Sequence, residues 1–148
     1  MLIEFQKLKK EYGLNPKGIL HVGAHEGQER FEYHNLCRGK IVWIEANPTL
    51  YHRLLRNLEA FPQQTAIHAC VSNVDGEKAI FNIANNDGQS SSLLQLGTHK
   101  EVHPEVKYTG TIELTTSRID SIEYDFTGLD FLNMDLQGAE LMALEGTG

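Results

Sequence analysis

Cysteine is scarce in this chain. Cys37 and Cys70 are the only two in 148 residues, and no Cys-x-x-Cys spacing occurs. This argues against a disulfide-stapled scaffold or a thiolate zinc site, and predicts buried free thiols in a reducing, cytoplasmic setting. Long hydrophobic runs are also missing. No stretch approaches the roughly 20 apolar residues of a membrane-spanning helix. The opening Met1-Leu2-Ile3-Glu4-Phe5-Gln6 lacks the apolar core of a signal peptide. Basic residues are outnumbered, 13 Lys and Arg against 20 Asp and Glu, for a formal charge of -7. The one basic cluster, Lys7, Lys9 and Lys10, reads as a solvated helix face, so no nucleic-acid partner is expected. What is present is 41% hydrophobic and 22% charged residues, the balance of a soluble globular protein, in a length that suits one domain.

The order of apolar patterns points to an α/β fold. Residues 1–13 carry Leu2, Ile3, Phe5, Leu8 and Tyr12 at near-helical spacing, so a leading amphipathic helix ending around Gly13 is predicted. Gly18-Ile19-Leu20-His21-Val22 reads as a buried strand, and residues 28–37 as a helix. Ile41-Val42-Trp43-Ile44 is a continuous β-branched and aromatic run that suits a strand covered on both faces. Asn47 and Pro48 follow as N-cap and first helical residue, with Leu50, Leu54, Leu58 and Phe61 as the helix's apolar stripe. Residues 66–71 supply a third strand. Such alternation is the signature of a parallel sheet with helices on its faces.

Beyond Val71 the pattern changes. Asp75-Gly76 is a turn signal, and residues 78–83 and 111–116 are expected to pair as an antiparallel addition to the parallel core. Phe131-Leu132-Asn133-Met134-Asp135-Leu136 reads as a return to that core, with a helix starting near Ala139. A sheet of this kind normally continues for several more elements. The chain therefore reads as a single domain, 1–148, with its late strands missing at the C terminus.

Ligands of open α/β sheets bind beyond the carboxyl ends of the strands. There the sequence places Gly23-Ala24-His25-Glu26-Gly27, whose glycines let the backbone turn tightly and approach a ligand. Unpaired N–H groups at the start of the following helix suit a carboxylate. Glu45 closes the second strand about 20 residues downstream, the spacing at which a carboxylate accepts both ribose hydroxyls of an adenosine. The loop is Gly-x-x-x-Gly, without the third glycine of dinucleotide enzymes or the Gly-Lys-Ser/Thr of a phosphate loop. Adenosine with a short amino-acid tail fits better than a diphosphate.

Four stretches then resemble the FkbM-type methyltransferases, a family of class I S-adenosylmethionine-dependent enzymes acting mainly on oxygen. They are residues 19–28, Val42-Trp43-Ile44-Glu45-Ala46-Asn47-Pro48, residues 71–76 with Phe81 beyond, and residues 130–140 containing Asp135-Leu136-Gln137-Gly138-Ala139-Glu140. The resemblance implies a Rossmann-like fold, with an antiparallel hairpin inserted after the third core strand, and S-adenosyl-L-methionine as cofactor. It implies that Gly23, Ala24 and Gly27 line the methionyl part, with His21 in the same loop region, and that Glu45 holds the ribose. Ala46 would lie under the adenine, with Ser72 and Asn73 near its polar edge. Asp135 would face donor and acceptor, and Gln137 and Glu140 would shape the acceptor corner. The family usually has Asp at position 21 and Asn at position 25. Because a charged imidazole would repel the cationic cofactor, His21 and His25 are expected to stay neutral when it binds.

Methyl transfer to an alcohol needs alignment and a base for the hydroxyl proton. Asp135 is the first candidate base and His25 the second, with cofactor or structural hydrogen bonding as the alternative for Asp135. His21 and His25 lie four apart, as do His99 and His103, but neither pair matches His-Glu-x-x-His, so no metal is expected. Trp43 and Phe131 read as core residues, and Ser90-Ser91-Ser92 as a loop without triad partners. The acceptor class expected is a small molecule, sugar or lipid-linked hydroxyl. Two alternatives stay open: a cofactor-binding or interaction domain of the same fold without turnover, and a nucleotide-dependent oxidoreductase.

Overall fold

The structure, a computed structural model, describes residues 4–84, 108–136 and 138–148. Gln137, the serine run at 90–92, His99 and His103 lie outside the described residues. The chain runs α1 (Phe5–Tyr12), β1 (Ile19–Val22), α2 (Arg30–Leu36), β2 (Ile41–Glu45), α3 (Pro48–Asn57), β3 (Gln64–His68), β4 (Cys70–Val71), β5 (Lys78–Ala84), β6 (Tyr108–Ser117), a 3-10 turn (Ile119–Ser121), β7 (Phe131–Met134) and α4 (Glu140–Glu145). No described helix is long and apolar enough to cross a membrane.

Four strands form a parallel sheet in the order β3-β2-β1-β7. Strands β1 and β2 are buried along their whole length, as their continuous apolar runs require. Their side chains alternate between two cores. Ile19, Ile41 and Trp43 point with Phe5, Tyr33, Leu36 and Leu54 into the layer of α1, α2 and α3. Leu20, Val22, Val42 and Ile44 point with Val71, Ile119 and Ala143 toward the second sheet and α4. Each fully buried aliphatic side chain contributes about 1.5–3 kcal/mol relative to exposure. Phe131 is half-buried and meets Phe5 edge-on. Cys37 and Cys70 are buried free thiols, and burial raises the pKa of both, that of Cys70 to about 11.

The helix boundaries follow from local chemistry. Gly13 ends α1 in the left-handed region at φ 69, where a side chain is unfavourable. The Asn47 side chain accepts from the N–H groups of Thr49 and Leu50, and Pro48 opens α3. That cap is worth about 1 kcal/mol. Helix α2 starts two residues later than the pattern suggests, after the turn made by Gly27.

Two expectations need correction. Residues 66–71 are not one strand. The chain leaves the parallel sheet after His68, and Cys70-Val71 instead pairs parallel with Thr116-Ser117. The hairpin of β5 and β6 is antiparallel as expected, but it does not extend the parallel core. With β4 it forms a separate sheet, ordered β4-β6-β5. A run of apolar residues records burial, not which sheet supplies the hydrogen bonds, so the sequence does not mark this break.

Candidate functional site

The carboxyl ends of β1, β2 and β7 meet at one edge of the parallel sheet, in the register Val22 beside Ile44 and Met134. The loop after β1 is held there by backbone bonds. The N–H groups of Gly23 and Ala24 both donate to the Ile44 carbonyl at 3.0 Å, and Gly27 N–H donates to the Ala24 carbonyl at 3.0 Å. Gly23 has φ 83, and a Cβ there would lie 2.1 Å from the backbone oxygen of Asp135. Only glycine lets the loop pass this close to the tip of β7.

His25 is the one described residue other than glycine in the left-handed region, at φ 55. Asn, Asp and His are the side chains most often found there. Histidine in place of asparagine therefore keeps the turn. Its N–H donates to Glu45 Oε2 at 2.6 Å, while its Nδ1 meets the Gln28 amide at 2.8 Å.

Glu45 is buried, and its second oxygen accepts from Asn47 N–H at 2.9 Å. The carboxylate thus joins the glycine loop to the start of α3. Burial raises its pKa, and the N–H groups of Asn47 and His25 oppose that shift. The Ala46 N–H acts in the same sense, which leaves about one of a carboxylate's roughly four lone-pair positions for a further donor. Beside it, the Ala46 carbonyl accepts from His68 Nε2 at 2.8 Å, and the His68 ring stacks on Tyr51.

His21 points down from the same edge into the core. Its ring stacks on Trp43 at 4.9 Å, and its Nδ1 lies 2.8 Å from the Tyr33 hydroxyl. That hydroxyl accepts from the Asn133 amide at 2.8 Å, so its own hydrogen is available to Nδ1. Burial lowers the His21 pKa to about 4, against a weaker opposing hydrogen bond to the Gly23 backbone. The imidazole is neutral at neutral pH. The ring is held by Tyr33 and, through that hydroxyl, by Asn133, neither of which stands out in the sequence. Tyr33 lies on the inward face of α2 and Asn133 beside His21 in the β1–β7 register, a polar pairing visible only once the strands are aligned.

Asp135 follows β7 at the exposed tip, its N–H donating to the Val22 carbonyl at 2.9 Å. Glu140 accepts from the N–H groups of Leu136 and Gly138, both at 2.9 Å, so its two oxygens hold the turn between β7 and α4. Gly138 adopts φ 100 in that turn. Both features explain the Gly-Ala-Glu spacing of this segment. Hydrogen bonds thus gather Gly23, Ala24, His25 and Glu45 into one unit, with Gly27 closing the turn and Asp135 abutting it. Ser72 and Asn73 are bonded elsewhere. Ser72 N–H donates to the Ser117 carbonyl, and the Asn73 amide donates to Glu145 Oε2 at 2.7 Å, on the side of the second sheet and α4. Glu26 pairs with Arg53 at 2.7 Å on the α3 side of the loop. Among the described residues, no group of three or more His, Cys, Asp and Glu converges as a metal cage would.

The sequence reading also passed over Glu29, two residues after Gly27. One of its carboxylate oxygens, Oε2, is buried without a hydrogen-bond partner.

Comparison with known proteins agrees with this architecture. The family model of the methyltransferase FkbM domain matches residues 21–148, from the glycine loop through α4. No curated protein and no solved structure matches the chain.

Proposed function

The chain belongs to the methyltransferase FkbM domain family, and from that premise we propose that it transfers the methyl group of S-adenosyl-L-methionine to a hydroxyl oxygen of a small molecule, sugar or lipid-linked acceptor. The observation that carries this reading is the Glu45 carboxylate, which ties the glycine loop to the start of α3 at the carboxyl edge of a parallel sheet.

The residues present fit the cofactor. A Cβ at Gly23 would fill the narrow space between the loop and Asp135. Glu45 keeps acceptor capacity for a ribose hydroxyl. Gly23, Ala24 and Gly27 would border the methionyl part, with neutral His21 bracing the loop from below. Ala46, beside the stacked Tyr51 and His68 rings, would underlie the adenine, and Ser72 and Asn73 would approach it after rearranging their present bonds. When bound, S-adenosyl-L-methionine supplies an electrophilic methyl on a sulfonium.

The protein's work is then alignment and proton removal. Holding an acceptor oxygen in line accelerates such a displacement by lowering its entropic cost. Asp135, exposed at the tip of β7, takes the proton from the acceptor hydroxyl, and His25 on the facing loop is the second candidate. Gln137 and Glu140 belong to the turn on the acceptor side, where Glu140 orders the backbone.

Titration calorimetry tests the reading. The protein is expected to bind S-adenosylmethionine and S-adenosylhomocysteine, and not NAD, with Glu45→Gln weakening both. Binding of NAD alone overturns it. Binding of S-adenosylhomocysteine with no methylated product from any hydroxyl acceptor favours a cofactor-binding domain without turnover. Asp135→Asn is expected to lower turnover by about 100-fold or more at unchanged S-adenosylhomocysteine affinity. Unchanged turnover at saturating substrate removes the base assignment.

A further inference from the structure

The carboxyl edge of the sheet is ringed by acidic side chains, and their existing bonds sort them. Glu45 accepts from His25 and Asn47, Glu140 from Leu136 and Gly138, and Glu26 pairs with Arg53. Asp135 is exposed to water. His21, the one polar side chain of β1, is neutral and packed among rings. Glu29 alone in this ring has a buried carboxylate oxygen with no partner. A buried acceptor left without a donor costs about 1–3 kcal/mol, and more when it is charged. Such a group calls for a specific explanation, and a ligand that completes it is one.

Its position narrows the ligand. Glu29 precedes the first residue of α2 and follows the Gly27 turn, at the end of the loop that faces β7. Burial raises the Glu29 pKa, and the charges of Glu32 and, more weakly, Asp135 add to that, against its own backbone N–H and the chain's amino-terminal charge. The neighbouring Arg30 does not neutralise it. That guanidinium turns its terminal nitrogen back to the Gly27 carbonyl and lies over the Phe31 ring, and its Nε is itself buried without an acceptor. The buried oxygen thus lies beside two further carboxylates, and the donor that best completes it is a cationic one. Glu45, the acceptor proposed for ribose, lies on the β2 side of the same loop, so a cation bound by Glu29 belongs to the opposite end of the ligand.

Resting on the proposed use of S-adenosylmethionine, we infer that Glu29 Oε2 accepts a hydrogen bond from the ammonium of the cofactor's amino-acid tail. Glu29 thereby acts as a binding residue that selects adenosine ligands carrying that tail. A charge-assisted bond of this kind is worth a factor of about ten or more in affinity.

Calorimetry on Glu29→Gln, an isosteric change, is the test, with a thermal melt to establish that the variant is folded. Three probes are used: S-adenosylhomocysteine, S-adenosylmethionine and methylthioadenosine, which keeps the nucleoside and lacks the tail. The expected result is a loss of about tenfold or more for the first two and an unchanged affinity for methylthioadenosine. Unchanged or tighter binding of S-adenosylhomocysteine overturns the inference. So does an equal loss for all three, which marks a general effect on the loop, or a loss confined to S-adenosylmethionine, which points to the sulfonium. If the unaltered protein binds none of the probes, the cofactor reading itself fails, and that outcome is distinct from every result of the variant. Should Glu29→Gln fail to fold, the des-amino analogue of S-adenosylhomocysteine on the unaltered protein gives the same answer. Undiminished affinity for the analogue overturns the inference.

Discussion

The β1–β2 side of the candidate site and the β7–α4 side share one sheet edge but are built on different terms. Strands β1 and β2 are buried throughout, and the loop above them is bonded to Ile44 and Glu45 at every turn. On the other side Leu132 is 43% exposed, Leu141 68% and Leu144 47%, and Asp135 stands at the surface. A rigid half suits a constant ligand, because the groups that bind it need no rearrangement. An open half suits a ligand brought in by other elements or by solvent exchange. Under the proposed function, the cofactor would be held by β1 and β2 and the acceptor would enter beside β7.

Substitutions can break this comparison, and the largest effect is expected where the halves touch. Gly23→Ala places a Cβ against the Asp135 carbonyl and imposes a left-handed alanine. Backbone strain and overpacking together cost about 4 kcal/mol or more, measurable by urea denaturation. Gly76→Ala, at φ 73 with open space around it, is the control and should cost only about 1–2 kcal/mol. Equal costs at the two positions would mean that the loop does not press on β7.

Next comes Ile41→Ala in the rigid half, which removes a fully buried side chain and should cost about 2–5 kcal/mol. A comparable loss from Leu132→Ala, described last, would erase the distinction between the halves.

The third effect is a dependence on pH. The His21 pKa falls from 6.5 to about 4 on folding, so below pH 6.5 the unfolded chain binds a proton that the folded chain refuses. The corresponding stability is fully present above pH 6.5 and is lost as pH falls toward 4, by at most about 3 kcal/mol. His21→Gln should flatten this part of the stability curve relative to the unaltered protein, whatever its effect at pH 7. Parallel curves for the two proteins would show that His21 titrates normally. Burial raises the Glu45 pKa, so its contribution has the opposite sign and declines as pH rises above the ordinary carboxylate range. His21→Gln leaves that part unchanged.

The smallest effect belongs to the open half. Leu132→Ala, at a position 43% exposed, should change stability by less than about 0.5 kcal/mol.

Much of the site was legible before any coordinates. Glycines at 23 and 27, an acidic residue ending the next apolar run, and Asn47-Pro48 after it are local signals, each tied to a backbone demand within a few residues. Strands β1 and β2 followed from continuous apolar runs, and α3 from helical periodicity, for the same reason. The break at Ala69 did not, since residues 66–71 satisfy burial equally well in one sheet or two. Nor did the two oxygens of Glu140, which serve the backbone of the turn before α4, or the bonds that carry Ser72 and Asn73 toward α4.

The sequence by itself determined which loop turns tightly at the sheet edge and which carboxylate bonds to it, because a tight turn needs glycine and a strand end presents its last side chain. Only the tertiary structure decided what stands beneath and beside that loop. His21, Tyr33 and Asn133 come from three separate elements and meet through strand register. Glu29 is set apart within the acidic ring by one buried oxygen without a partner, and a missing partner is a property of packing that no spacing of residues records.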